Sequence, residues 1–260
     1  MNPSLIWTQS ESFVQLTLSN SGRCNAVTDE MIEGIEQAVE RINADPLIKL
    51  VLLTGAGDYF CAGGDVRQMY DRAGMFSGNP EHISQAYQKG IQRIPLALAR
   101  LQVPSVAVVN GPAVGAGFDM VLMCDLAIAA TTARFAESFI QIGLISGDGG
   151  AWHLPRKIGL HRAAEMTLTG DAIDAQQALV WGIVSQVVPR AELHTAATRL
   201  ANRITRHPRA VLCASKQLLK TSAEQTLSEA LLAAANIQGH LHHTDAHHQK
   251  LAEFFAKKIK

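Results

Sequence analysis

Aromatic side chains are scarce, 5% of 260 residues, which leaves too little ring surface for a base-stacking platform. Charge of one sign is also lacking. Lys plus Arg number 23, Asp plus Glu number 23, and the net charge is zero, so a broad electrostatic footprint for nucleic acid is not expected. The four cysteines, Cys24, Cys61, Cys124 and Cys213, form no CxxC pair, which argues against a disulfide framework or a thiolate zinc site. Apolar runs such as residues 103–109 are too short to span a bilayer. Residues 1–12 show no basic stretch followed by an apolar run, so no signal peptide is expected. The expectation is a cytoplasmic protein with neither membrane nor nucleic-acid partner.

Hydrophobic residues are plentiful, at 47%, and a chain of this length can bury a substantial core in one large domain. Residues 13–18 alternate, with Val14, Leu16 and Leu18 on one face, and read as a half-buried strand paired with residues 5–7. Thr28 is a suitable N-cap for a helix over 29–44. Its apolar stripe is Met31, Ile32, Ile35, Val39 and Ile42, and Pro46 forbids its continuation. The continuous apolar runs 49–54 and 105–109 suit buried strands of a parallel sheet, and 126–129 reads as a third. Short helices are expected after Asp65 and over 117–123. A mobile loop is expected around 74–80, and one helix over 83–101. Beyond Pro189 the pattern is helical throughout, over 192–204, 208–221, 226–241 and 245–258. The reading is therefore an α/β core over 1–191 and a helical extension over 192–260.

Two Gly-rich turns carry the chemistry. Phe60-Cys61-Ala62-Gly63-Gly64-Asp65 and Asn110-Gly111-Pro112-Ala113-Val114-Gly115-Ala116-Gly117-Phe118-Asp119 each follow a buried strand and open a helix. Small residues let a ligand approach the main chain, and a helix N-terminus adds unpaired donors. Two such turns brought together aim two N–H groups at one oxygen, the design of an oxyanion hole. The alternative is that they are tight packing turns. Neither fits the GxxxxGK[ST] phosphate loop.

These turns, together with residues 124–129 (CDLAIA), 143–159 (GLISGDGGAWHLPRKIG) and 168–189 (LTGDAIDAQQALVWGIVSQVVP), resemble the enoyl-CoA hydratase/isomerase (crotonase) superfamily over nearly the whole chain. The resemblance implies a crotonase-like α/β fold, a spiral of repeated ββα turns followed by C-terminal helices. It also implies an acyl-CoA thioester substrate and a homotrimer or dimer of trimers. Coenzyme A enters as part of the substrate, and no separate cofactor or metal is expected. The implied oxyanion donors are the main-chain N–H groups of Gly64 and Ala116. Ala62, Gly63, Gly64, Asp65, Val66 and Ala116 are the implied contacts of the CoA and thioester. The basic end, with Lys250, Lys257, Lys258 and Lys260, reads as a solvated face, although in the family this helix can lie near CoA phosphates.

The reaction depends on the acids. Hydratases of the family use two glutamates around one water. One stands three residues past the second donor, where this chain has Asp119. The other aligns with Phe139, which cannot carry a proton. Glu137 shares a face with position 139 if the segment is an ideal strand, and a shifted register would make it the second acid. Asp148, in Ser146-Gly147-Asp148-Gly149-Gly150, is the preferred second candidate, with helix capping as its structural alternative. Burial would raise the Asp119 pKa and the helix N-terminus would lower it. Enoyl-CoA hydration with Asp119 as principal acid/base and Asp148 assisting is the first functional reading. Enoyl- or dienoyl-CoA double-bond isomerisation is the second, and a catalytically weak acyl-CoA-binding protein the third. His243 and His247 stand four apart, but no carboxylate or thiolate completes a metal site.

Overall fold

A computed structural model describes residues 4–258; Lys260 and the side chains of Lys257 and Lys258 fall outside the description. Strand β1 (Leu5–Gln9) pairs antiparallel with β2 (Phe13–Leu18), Leu5 opposite Leu18. Helix α1 (Asp29–Ala44) follows, capped by the Thr28 hydroxyl, which accepts from the Met31 N–H. All five residues of the expected stripe are buried. Strand β3 (Leu50–Gly55) lies parallel to β2. Then come α2 (Val66–Tyr70), α3 (Pro80–Lys89), α4 (Arg93–Arg100), β4 (Ser105–Val109), β5 (Ala113–Val114), α5 (Ala116–Met123), β6 (Leu126–Ala130) and β7 (Arg134–Ala136). The second half runs α6 (Gly150–Ile158), α7 (Leu160–Thr169), β8 (Ile173–Asp174), α8 (Ala175–Val180), β9 (Gln186–Val188), α9 (Leu193–Thr205), α10 (Arg209–Ser222), α11 (Leu227–His242) and α12 (Asp245–Lys258).

The main sheet has the order β1-β2-β3-β4-β6-β9, parallel from β2 onward, and β5-β7-β8 form a smaller one. Burial on both faces explains the continuous apolar runs. Leu50, Leu52, Val106, Val108 and Ile128 face Leu193, Ala196, Ala197 and Ala201 of α9. Their neighbours Val51, Leu53, Ala107 and Val109 join the larger core with α1, α4 and α5. Helix α10 is tied to the core by Lys216, whose ammonium lies 2.8 Å from the Asp125 carboxylate and donates to the Val103 carbonyl.

One expectation needs correction. The helix expected over 83–101 is two helices, α3 and α4, separated at Gly90, Ile91 and Gln92. Pro95 has no N–H to donate and its ring crowds the preceding turn, which disfavours an unbroken helix through it; it sits in the first turn of α4, after α3 has ended. The segment expected to be a mobile loop holds a 3₁₀ turn over Gly74–Phe76, and Asn79 then caps α3. His243 ends α11 while His247 belongs to α12, so the two do not share a helix face; the His247 ring packs 4.7 Å from that of His242 instead.

Candidate active site

The two Gly-rich turns are held together by the main chain. Cys61 forms a parallel bridge with Ala113. The Val114 N–H donates to the Cys61 carbonyl at 3.0 Å, and the Cys61 N–H to the Pro112 carbonyl at 3.2 Å. Gly63, at φ +86°, is packed so closely that an added Cβ would lie 2.7 Å from the Val114 carbonyl oxygen and 3.2 Å from the Ala116 nitrogen. A side chain there is disfavoured twice, by the left-handed conformation and by the contact. Gly64 follows directly, next to the point where Gly63 meets the nitrogen of Ala116, the first residue of α5. Among the described residues neither the Gly64 nor the Ala116 N–H has a protein acceptor, and both residues line one pocket.

The remaining residues of the first turn are anchored from the segment before α1. Ala62 N–H donates to the Cys24 carbonyl, and Val27 N–H to that of Gly63. Asp65 caps α2 by accepting from the Arg67 and Gln68 N–H groups and pairs with Arg23. Val66 begins α2 and is exposed. The Cys61 thiol is buried, which pushes its pKa up to about 12; a thiol so far from ionising is a packing group and not a nucleophile.

The pocket wall is otherwise mostly apolar, formed by Val27, Ile32, Met69, Phe76, Tyr87 and Phe139 among others. Asp148 reaches the pocket, whereas Asp119 is fully buried behind the wall. The Ser146 hydroxyl donates to Asp119 Oδ2 at 3.0 Å and accepts from the Gly150 N–H at 2.9 Å. Ser146 therefore satisfies the first turn of α6, and Asp148, the capping candidate, does not cap it. No sequence signal singled out Ser146 or Tyr87.

Glu137 joins these acids. Strand β7 stops at Ala136, and a 3₁₀ turn, Ser138–Ile142, replaces the ideal strand. Glu137 turns inward to 2% exposure, while the Phe139 ring lies on the pocket wall against Gly115. The sequence signal for Glu137 was its place two residues before 139, on the same face of an ideal strand.

Burial decides the electrostatics. It raises Asp119 well above the usual carboxyl range, and the adjoining Glu137 raises it further. Burial lifts Asp148 to about 9, with Asp119 adding to the rise, and lifts Glu137 to about 7. The lowering expected from the helix N-terminus loses to desolvation. Acids that keep protons near neutral pH suit proton transfer to carbon.

Two main-chain N–H groups on one pocket wall beside such acids are an arrangement suited to placing charge on an oxygen and moving protons on neighbouring carbons. The chain is a member of the Enoyl-CoA hydratase/isomerase family, whose model matches residues 8–260. It is 33% identical over 243 residues to the 1,2-epoxyphenylacetyl-CoA isomerase of Escherichia coli, covering 94% of this chain and 92% of that one. It is 31% identical to the 2,3-dehydroadipyl-CoA hydratase of the same organism, covering 98% and 96%. Among solved structures, an enoyl-CoA hydratase from Bacillus anthracis superposes with a TM-score of 0.91 at 28% identity, covering 98% and 96%. The fold is thus crotonase-like, with a helical C-terminal region, and the protein is an enzyme of the acyl-CoA class. Among the described residues no helix is long and apolar enough to cross a membrane.

Proposed function

We propose that this chain isomerises the double bond of an enoyl-CoA thioester, from the 3-enoyl to the 2-enoyl form. The observation that carries this reading is the position of Asp148, a proton-holding acid on the wall of the pocket that Gly64 and Ala116 also line. Phe139 stands on that wall where a water-holding glutamate would be needed for two-acid hydration. The thioester oxygen accepts from the Gly64 and Ala116 N–H groups. The ionised form of Asp148, the minor one below its raised pKa of about 9, removes a proton from C2. The electron pair moves into the thioester, giving a dienolate whose charge the two N–H groups stabilise, at about 2.7–4 kcal/mol for one donor. Asp148, now the acid, returns the proton to C4. Asp119 stays protonated and donates to Asp148 while Asp148 is ionised. The coenzyme A moiety of the substrate lies along Ala62, Gly63, Gly64, Asp65 and Val66.

Hydration is the second reading, favoured by the relatives named as hydratases and by the alignment of Asp119 with one hydratase acid. The raised acids argue against a mere binding protein. The exposed Leu227, Leu231, Leu232, Phe254 and Phe255 of α11 and α12 support assembly as a homotrimer or dimer of trimers. The four free cysteines accord with the cytoplasm. The test of the reaction is a paired assay of one acyl chain, as 3-enoyl-CoA alone and as 2-enoyl-CoA with water. Faster isomerisation is the expected result, and hydration without isomerisation overturns the reading.

A further inference from the structure

Behind the pocket wall, the Asp119 and Glu137 carboxyl groups both crowd the space over the Cα of Gly150. A Cβ added there would collide with Asp119 Oδ1 and lie 2.6 Å from Glu137 Oε1. Among the described residues Asp119 Oδ1, both Glu137 oxygens and Asp148 Oδ1 have no hydrogen-bond donor. The titratable groups acting on Glu137 are Asp119 from α5 and Asp148 from the turn before α6, with no Lys, Arg or His among them. Two carboxylates cannot share a dry site with nothing to offset their charges. One proton between them supplies the donor that both lack and removes one charge.

We propose that Glu137 is a positioning residue that shares a proton with Asp119 and so keeps Asp119 in its acid form beside Asp148. Glu137 itself touches no substrate. Its effect passes through Asp119, whose proton turns from Glu137 toward Asp148 when Asp148 ionises and turns back to Glu137 when the Asp148 proton returns. No net proton leaves the three carboxyl groups in a turnover, because the proton taken from C2 is the one given to C4. The inference extends the isomerisation reading, yet the proton-sharing pair exists without substrate and is measured without it.

Two measurements test the pair. The first is the infrared carbonyl band of protonated carboxyl groups in the wild-type chain and in Asp148→Asn, between pH 6 and 8. A protonated buried carboxyl persisting in both is expected, and its absence from Asp148→Asn overturns the proposal. The second is the pH profile of turnover in Glu137→Gln. The amide N–H donates to Asp119 at every pH, so Asp119 gives up its proton more readily. The alkaline limb of kcat/KM should shift to lower pH by about one unit, the size of effect one neighbouring group has on a carboxyl, with KM little changed. A Glu137→Gln chain with the wild-type pH profile overturns the proposal, since a packing or purely structural role is met equally by the amide. A persisting band in a protein that turns over no CoA thioester leaves the proton sharing standing and defeats only the reaction assigned above.

Discussion

The Cα of Gly150 lies directly under the Asp119 carboxyl, and no larger residue fits between them. A Cβ at 150 would overlap Asp119 Oδ1 and press on Glu137. The first residue of α6 and the fourth of α5 are thereby locked in register, with Ser146 bonded to both. Gly150→Ala should displace Asp119 and lower turnover by about 10²-fold or more, the scale of a misplaced acid/base group. Overpacking of this kind costs about 1–3 kcal/mol of stability. Steady-state kinetics and urea unfolding of the same variant separate the two effects, and wild-type kcat in a folded Gly150→Ala would contradict the packing described.

Asp148 and Asp119 should differ under substitution. Asp148 forms part of the pocket wall, while Asp119 is enclosed. Asp148→Asn should lower kcat by about 10²–10⁴-fold with KM little changed, the usual contribution of general acid–base catalysis. Asp119→Asn keeps a donor toward Asp148 and should cost less. Kinetics of both variants on a 3-enoyl-CoA check this order, and a larger loss in Asp119→Asn would return the principal role to the enclosed acid.

The elements legible in the sequence were those whose cause is local. The Thr28 cap and the stripe Met31, Ile32, Ile35, Val39 and Ile42 define α1 within one segment, and the doubly buried runs of β3 and β4 declare themselves by their continuous hydrophobicity. The two turns and their small residues were legible as a possible pair. What could not be read was set by contacts distant in sequence. Glu137 enters the carboxyl group because β7 ends one residue earlier and Gly150, thirteen positions on, leaves the space. Ser146 bonds a residue 27 positions away. Asp148 reads equally as cap or acid until Ser146 is seen to take the capping role. The break between α3 and α4 was in fact legible in Pro95, whose local rule was outweighed by the helical period around it.

The proposed oxyanion cradle depends on the close approach of the two turns. Gly63→Ala forces a side chain onto the Val114 carbonyl at a left-handed backbone position, and should move Gly64 away from Ala116. Loss of one oxyanion donor costs about 10²–10³-fold in kcat, and Gly63→Ala should fall in that range. Gly64→Pro removes the N–H itself and should do the same in a folded chain. Turnover and circular dichroism of both variants are the measurements; a folded Gly64→Pro with normal kcat would remove Gly64 from the cradle.

Lys216 fixes α10 to the core through the Asp125 carboxylate and the Val103 carbonyl. Asp125 also accepts from the Ser105 N–H and hydroxyl. Removing one partner of a buried pair costs about 3–5 kcal/mol when the other is left bare. Asp125 keeps its Ser105 donors, so Lys216→Met should fall at or below the lower end of that range. Chemical denaturation measures the loss, and an unchanged midpoint would show that the pair contributes nothing net.

The pH dependence of stability should carry the mark of the carboxyl group. Asp148 and Glu137 have folded pKa values raised to about 9 and about 7, above those of an unfolded chain. The folded state therefore holds protons that the unfolded state has released, and stability declines as pH rises through this interval, by about 1.4 kcal/mol per unit for each such group. On the acid side, burial and the nearby Lys157, Lys220 and Arg156 lower His153 to about 4. Its contribution runs the other way, complete above the ordinary histidine pKa and lost as pH falls toward 4. The two trends oppose each other in mild acid, so the carboxyl contribution is cleanest on the alkaline side. Tm should fall between about pH 7 and 9, by the equivalent of roughly 2–3 kcal/mol from Asp148. Asp148→Asn removes the titrating group and should flatten this decline, leaving the variant more stable than wild type at the alkaline end while its turnover is lost. Thermal unfolding of both proteins across this range is decisive, because parallel curves would mean that Asp148 does not carry its proton in the folded state.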